Sequence, residues 1–373
     1  MRLVMGLSGD IDRMQVERAI AEFRSGRPVL VEDADAAALA VCVEDLDPET
    51  CARLDVVAMG RARLILTEKR LGRIGQATKK ERAEPGAVAL PTVDAQRIET
   101  LARRTEARLD APAHPIGRLD ADALELARLS FVTPAVVTIP IVPGVEREPT
   151  IVRVAGAAIR GYRAAQAKSL RIAGRAPVPL EGATETEFVV FRGGEGMRDQ
   201  VAVVVGRPDL AKPVLVRLHS ACLTGDLFGS LKCDCGDQLR GTVKAMAEGE
   251  GGVLLYLDQE GRGNGIANKI RAYKLQAEGF DTYEADEALG FGFDQRRFGF
   301  AGEMLRQLGI GAVRIMTNNP EKIAALKSAG LDVVADVRSV GRSTAENVRY
   351  LATKRDKAGH MIELDGSAAP KTE

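Results

Sequence analysis

Three cysteines stand close together late in the sequence, Cys222, Cys233 and Cys235, in a C-x10-C-x-C arrangement. Zinc takes thiolates readily, and a catalytic zinc keeps three protein ligands with a fourth position open to water. Three cysteines without a nearby fourth ligand therefore suit a catalytic metal better than a structural one. Zinc held there would lower the pKa of its bound water to about 7. The competing reading, free cysteines buried in a core, fits poorly with so polar a stretch and with Gly236 directly after the C-x-C pair. His219 reads as a hydrogen-bonding residue at a strand end, with metal ligation as the alternative. Cys42 and Cys51 stand apart in a segment that suggests ordinary packing, and five cysteines in 373 residues are too sparse for a disulfide framework.

Other polar groups sit where elements change. Gln259-Glu260-Gly261-Arg262-Gly263-Asn264-Gly265 follows a strand-like run and precedes a helical one. Glycines there allow a ligand to approach the backbone, and amides near a helix start favour phosphate. A tight strand-to-helix turn explains the same residues equally well, since neither a Walker loop nor a dinucleotide fingerprint is present. Asp294-Gln295-Arg296 and Thr317-Asn318-Asn319-Pro320-Glu321-Lys322 add cations and a carboxylate at element ends. Taken singly, each suits a solvated loop or a helix cap; together they are coherent with a triphosphate ligand and proton transfer.

The elements that would position these groups alternate between strand and helix, which indicates an α/β fold. Near the start, Gln15–Arg24 has helical spacing, Val29–Val31 reads as a buried strand, Pro48 opens a helix to about Val57, and Ala62–Thr67 reads as a strand. From about Lys79 to Pro115 the text is charged and broken by prolines, and Val136–Pro143 is β-rich before a short helix at about 154–170. Composition shifts after Gly174. Residues 187–192 and 200–205 then read as a hairpin around a Gly-Gly-Glu-Gly turn. Strands at 214–219, 252–257 and 313–316 alternate with helices at 236–248, 268–278, 299–308 and 320–329, and a loose tail of about eight residues is expected at the end.

At 373 residues the chain has room for two domains, each with its own core. Hydrophobic residues make up 45% and charged residues 28%, and 52 basic residues balance 52 acidic ones. Nucleic-acid and membrane-surface roles normally need a basic excess, so neither is expected. A leader and a bilayer-spanning apolar run are both lacking, which makes a cytoplasmic location the default expectation.

The run from Arg217 through His219, Ser220 and Cys222 to Ser230-Leu-Lys-Cys233-Asp-Cys235-Gly-Asp-Gln238 resembles the GTP cyclohydrolase II family. The likeness continues in order through Gln259-Glu260-Gly-Arg262, Asn268-Lys-Ile-Arg-Ala-Tyr273, Asp281-Thr-Tyr-Glu-Ala, Leu289-Gly-Phe, Asp294-x-Arg296 and Thr317-Asn-Asn-Pro-x-Lys322, over about residues 168–365. It implies a mixed sheet with flanking helices and a zinc ion on Cys222, Cys233 and Cys235. The implied reaction opens the guanine imidazole ring of GTP and releases formate. Arg296 would attack the α-phosphate and expel pyrophosphate, Asp294 would accept a proton, and Tyr273 would assist ring opening. GTP would be held by Arg217, His219, Ser220, Gln238, Glu260, Gly261, Arg262, Thr282, Thr317 and Lys322, with Mg2+ on the triphosphate. A homodimer is the implied assembly. Three positions depart from the family pattern: Ala221 replaces a glutamate, Asp258 an arginine, and Gly263-Asn-Gly-Ile266 the usual Gly-Ile-Gly-Leu. Alternative readings are a nucleotide-binding regulator without turnover and an enzyme that stops at the formamidopyrimidine.

The opening, Val16-Glu-Arg-Ala-Ile with Gly26-Arg-Pro-Val-Leu-Val-Glu-Asp33, resembles 3,4-dihydroxy-2-butanone 4-phosphate synthase, and Arg61–Gly72 fits a later segment of that family. The acidic run that such an enzyme uses to hold magnesium reads Asp33-Ala-Asp-Ala-Ala-Ala-Leu-Ala40 here, which leaves little to bind a hard cation. The expected layout is therefore a degenerate synthase-like α/β domain at 1–145, a linker at 146–167 and a cyclohydrolase domain at 168–373.

Overall fold

Ala36–Cys42 consists of four alanines with one leucine, one valine and one cysteine, and the alanines and leucine have good helix propensity. It folds as a strand because both of its faces are buried. Ala40 and Cys42 join one apolar cluster, while Leu39, Val41 and Val43 join the other. Small side chains let the layers on either side approach closely, and that burial outweighs local preference. In the computed structural model, residues 11–44, 46–75, 84–141, 150–193, 198–292 and 294–337 are described. The expected tail, most of the Gly-Gly-Glu-Gly turn and the start of the charged stretch lie outside them.

The described chain runs α1 (Ile11–Arg24), β1 (Val29–Asp33), β2 (Ala36–Cys42), α2 (Pro48–Ala58), β3 (Ala62–Leu66), α3 (Glu68–Ile74), β4 (Gly86–Leu90), α4 (Ala95–Arg103), β5 (Ala113–Pro115), α5 (Arg118–Leu129), β6 (Ala135–Ile141), β7 (Val152–Ala155) and α6 (Gly156–Lys168). It continues through β8 (Arg171–Pro177), β9 (Thr186–Arg192), β10 (Gln200–Val205), β11 (Val214–Ser220), α7 (Leu223–Asp226), α8 (Cys235–Glu248), β12 (Gly252–Leu257), a 3-10 turn (Glu260–Gly263), α9 (Ile266–Ala277), α10 (Thr282–Ala288), α11 (Gly299–Gln307), β13 (Ala312–Met316), α12 (Pro320–Ser328) and β14 (Asp332–Val337). No helix among the described residues is long and apolar enough to cross a membrane.

Two seven-stranded sheets organise these elements, in the orders β5-β4-β3-β6-β2-β1-β7 and β14-β13-β11-β12-β10-β9-β8. The chain divides into two compact units, Met1–Ala165 with Ala267–Gln295, and Gln166–Ile266 with Arg296–Glu373. The first sheet is antiparallel except where β1 pairs parallel with β7. Residues 146–167, expected as a linker, thus contain the edge strand β7 and most of α6. Buried Val154, Ile159 and Tyr162 tie this stretch into the first core. The segment 267–295, expected to pack with the cyclohydrolase-like elements, belongs to the first unit, for reasons developed below.

The second sheet has a parallel half, β14-β13-β11-β12, and an antiparallel half, β10-β9-β8. Along β12, Val253, Leu255 and Leu257 face the cluster that also takes Met304, Leu305 and Leu326, while Leu254 faces Met246 of α8. This two-sided burial is what a parallel sheet requires. Strands β8 and β14 were not legible: β8 is exposed along its whole length and β14 along most of it, so neither carries an apolar alternation. Phe191 is fully buried in the centre of the β9 core. Phe191→Ala is expected to destabilise the second unit by about 3–5 kcal/mol, read from its urea unfolding transition.

Candidate metal and nucleotide site

The site residues of the second unit lie past the carboxyl ends of the parallel strands. β11 and β12 pair with His219 opposite Tyr256 and Ser220 opposite Leu257, so both strands end level. The turn after β11 carries Cys222, and the turn after β12 carries Gln259–Gly263. Thr317 follows β13, on the other side of β11. The strand order reverses at β11, and ligands of open α/β sheets bind beyond the strand ends at such a point.

Cys222, Cys233 and Cys235 place their sulfurs within 4.8 Å of one another, with Cys222 and Cys233 3.6 Å apart. Hydrogen bonding to Cys222 pushes the Cys233 thiol up to about 11. Thiols this close stay protonated until a cation compensates their charge, which is the behaviour of a metal site. Gly225 lies against all three: a Cβ there would come within 2.6 Å of the Cys233 sulfur and 3.0 Å of the Cys222 sulfur. The short helix α7 can therefore wrap the sulfurs only with a glycine at this position. These residues fit a zinc ion in donor chemistry and in the space left for it.

His219 is not part of the sulfur cluster. Its Nε2 lies 3.0 Å from Asp226 Oδ1, and its ring stacks on Tyr256 at 5.6 Å. Burial pushes the imidazole below its ordinary pKa despite the carboxylate beside it. Asp226 Oδ2 also accepts from the Tyr256 hydroxyl at 3.0 Å and from the Cys222 amide at 2.9 Å. One buried carboxylate thus fastens the strand ends to the cysteine turn. Asp226 and Tyr256 were missed in the sequence; the only signal was a carboxylate four residues after the first cysteine, which is common in turns.

The cations surround the same strand ends. Arg217 is buried, its Nη2 donates to Gln238 Oε1 at 2.5 Å, and its Nε makes no hydrogen bond. Burial pushes the Arg217 guanidinium below its ordinary pKa, and an uncompensated buried donor of this kind favours an anionic acceptor. Lys322 reaches back from α12 to the Leu218 carbonyl at 2.6 Å, and its ammonium lies 5.3 Å from the Phe298 ring. Arg296 lies over the same ring at 5.5 Å and reaches Ser220 Oγ at 3.5 Å. Ser220 in turn donates to Gln259 Oε1 at 3.3 Å. Glu260 accepts from the Leu223 amide at 2.6 Å, linking the two turns.

Gly261 and Arg262 both adopt left-handed φ, 61° and 58°. For an arginine this is a strained conformation of the sort that clusters at functional sites. Asp258 pairs with Arg198 Nη1 at 2.7 Å, so the anion that departs from the family pattern is neutralised by a local cation. Asn319 caps α12 through the Glu321 amide, with Pro320 in its first turn, and the Thr317 hydroxyl accepts from the Asn319 amide at 3.0 Å.

Tyr273, Thr282 and Asp294 belong to the first unit. Lys269 lies 5.5 Å from the Tyr273 ring, and Thr282 opens α10. Asp281 and Glu284 form a reciprocal capping box at that helix start.

Two outcomes are expected from this geometry. Gly225→Ala places a methyl against the sulfurs and should lower metal content severely, measured by atomic emission. Asp226→Ala removes the anchor of the Cys222 amide and should weaken metal affinity about 10–100-fold, measured by chelator competition.

Residues 171–338 match the family model described as GTP cyclohydrolase II. A GTP cyclohydrolase-2 of Xylella fastidiosa is 42% identical to this chain and covers 96% of it, with 89% of that protein matched. One from Azospirillum brasilense is 40% identical over 93% of this chain and 94% of its own. A two-domain 3,4-dihydroxy-2-butanone 4-phosphate synthase from A. baumannii is similar at 16% identity, over 88% of this chain and 99% of that one, with a TM-score of 0.33. The identity to the full-length relatives extends across both units, and with the ordered cysteine, glycine and arginine motifs it shows that this chain belongs to the GTP cyclohydrolase II family of enzymes.

Proposed function

We propose that the protein hydrolyses GTP, opening the guanine imidazole ring with release of formate and pyrophosphate. The product would be 2,5-diamino-6-(5-phospho-ribosylamino)pyrimidin-4(3H)-one, the first intermediate of riboflavin biosynthesis. The observation that carries this reading is the junction, past β11, of three clustered thiols with a buried, incompletely bonded arginine.

Cys222, Cys233 and Cys235 would hold a zinc ion, which when bound supplies a Lewis acid and lowers the pKa of its water to about 7. Arg217, Arg262, Lys322 and Mg2+ would offset the triphosphate charge, with Gln238, Glu260, Gly261 and Thr317 orienting the nucleotide. His219 and Ser220 act as organisers of the turn, His219 through Asp226. Arg296 is assigned as the nucleophile at the α-phosphorus: an N–P bond forms as the P–O bond to pyrophosphate breaks, and Asp294 takes the guanidinium proton. Water then cleaves the N–P bond and regenerates Arg296. Tyr273 is assigned to ring opening and Thr282 to nucleotide binding from their places in the motifs.

The activity is assigned to residues 168–373. Residues 1–145 are read as a synthase-like domain that has lost its own chemistry. In place of its acidic run stands β2, whose alanines at 37, 38 and 40 are buried. Leu227, Phe228 and Leu231 are exposed beside the cysteine turn, an apolar group that supports a homodimer. A cytoplasmic location accords with these assignments.

Incubation of the zinc-loaded protein with GTP, with formate and pyrophosphate assayed separately, tests the reading. Both products are expected; pyrophosphate alone would identify a reaction arrested before formate release, as at the formamidopyrimidine, and neither product would remove the assignment. Cys233→Ser is expected to lose zinc and formate release together, and full formate release by that variant would refute the metal assignment.

A further inference from the structure

The segment Ala267–Gln295 lies in the cyclohydrolase-like stretch of sequence yet folds within the first unit. Its own apolar cluster is small: Ala272, Leu275, Ala285, Ala288, Leu289 and Phe291. Its second helix, α10, has only seven residues, too few to be stable by itself. Order in this segment must come from what it is packed against, and α3 is what α10 packs against.

Arg70 of α3 is the centre of that packing. Its side chain is 1% exposed, and its nitrogens donate to four backbone carbonyls. Nε reaches Leu101 at 2.7 Å, Nη2 reaches Thr100 at 3.1 Å and Arg104 at 2.7 Å, and Nη1 reaches Ala288 at 2.7 Å. The first three carbonyls close the C-terminal end of α4, and the fourth is the last residue of α10. Carbonyls in the last turn of a helix carry the negative end of the helix dipole and mostly lack intrahelical donors, Thr100 being the one here that also accepts from the Arg104 amide. A planar cation with five donors fits two such ends at once; a lysine ammonium, a point charge with three donors, does not.

Neighbouring contacts act in the same direction. Thr67 caps α3 and donates from Oγ1 to the Gly290 carbonyl at 2.7 Å. Gly290 has φ +85°, and a Cβ there would meet Thr67 Oγ1 at 3.1 Å. Lys69 pairs with Glu287 at 3.2 Å, and Arg73 lies 5.0 Å from the Phe280 ring. At the start of the segment, Arg271 pairs with Glu44 at 2.5 Å, and Asn268 Nδ2 donates to the Phe131 carbonyl at 3.1 Å. Every one of these partners before residue 165 is outside the stretch that matches the family model.

We infer that the N-terminal unit is a mould for Ala267–Gln295, with Arg70 as a positioning residue for the Tyr273, Thr282 and Asp294 that this segment carries. The inference rests on the proposed GTP reaction, and it assigns a role to residues that lie before the stretch matching the family model. Arg70 touches no substrate; it acts through the backbone of α10.

The test uses the full-length zinc-loaded protein with Arg70→Lys, with Glu44→Gln as a milder second variant and Arg97→Ala, on α4 but paired with Asp110, as a control. Formate release gives kcat and KM at a temperature well below each melting point, and amide hydrogen exchange reports order. Arg70→Lys is expected to lower kcat at least about tenfold with wild-type zinc content, and to speed exchange in 267–290 while leaving 214–248 unchanged; Glu44→Gln should shift both readouts the same way by less. A lower melting temperature with wild-type kcat, or unchanged exchange in 267–290, overturns the positioning role. Absence of formate from the wild-type protein would refute the GTP reading and Arg70's part in that reaction, whereas normal wild-type turnover with an unaffected Arg70→Lys variant would refute the mould alone.

Discussion

The parallel pairing of β11 with β12 is the constraint on which the second unit depends. With Ser220 opposite Leu257, both chains leave the sheet at the same level, and their turns begin side by side. A one-residue slip would turn Leu218 and Leu255 out of the core and carry His219 and Arg217 away from their partners. The apolar alternation of 253, 255 and 257 makes such a slip costly, because those side chains fill the cluster shared with α11 and α12. The register that satisfies the core is therefore also the register that assembles the site.

Polar groups at these strand ends are buried, and each must find a partner inside the protein. Asp226 meets much of that demand, since it accepts from His219, Tyr256 and the Cys222 amide. The network leaves the cysteine turn little freedom, which suits a metal site whose ligands must be in place before the ion arrives. Gly225 completes the arrangement by omission, because any side chain there would occupy the space among the sulfurs. Charge follows the same logic. Arg217, Arg296 and Lys322 bond to Gln238, Ser220 and the Leu218 carbonyl, so all three cations are held near the strand ends.

The first unit is organised around a seven-stranded sheet packed on both sides. Small and branched residues bury both of its faces. The unit also holds a stretch of chain from the other half of the sequence. Arg70 achieves this with carbonyls alone, and although burial pulls its pKa down to about 10, the group remains charged at neutral pH. A buried cation between two helix ends is stable only while both ends stay in place, so it couples the order of α4 to that of α10.

Much of the second unit was legible in the sequence. The strands at 214–220 and 252–257, their helices and the three cysteines follow from apolar alternation and from ligand chemistry, both of which are local properties. The Asx-type cap at Asn319 is equally local, since it needs only the Glu321 amide two residues on. Other features were not legible because their causes are distant in the chain. β2 is a strand only because two apolar clusters bury both of its faces, β8 and β14 have no apolar face, and Asp226 becomes important only when Tyr256, thirty residues later, lies beside it. The placement of 267–295 is the clearest case. Sequence order assigned it to the cyclohydrolase-like half, whereas the hydrogen bonds of Arg70 and Thr67, about 220 residues upstream, assign it to the first unit. Residue types determine which chemistry is available; only tertiary packing decides which buried donors and acceptors meet, because no local rule specifies a partner that far away.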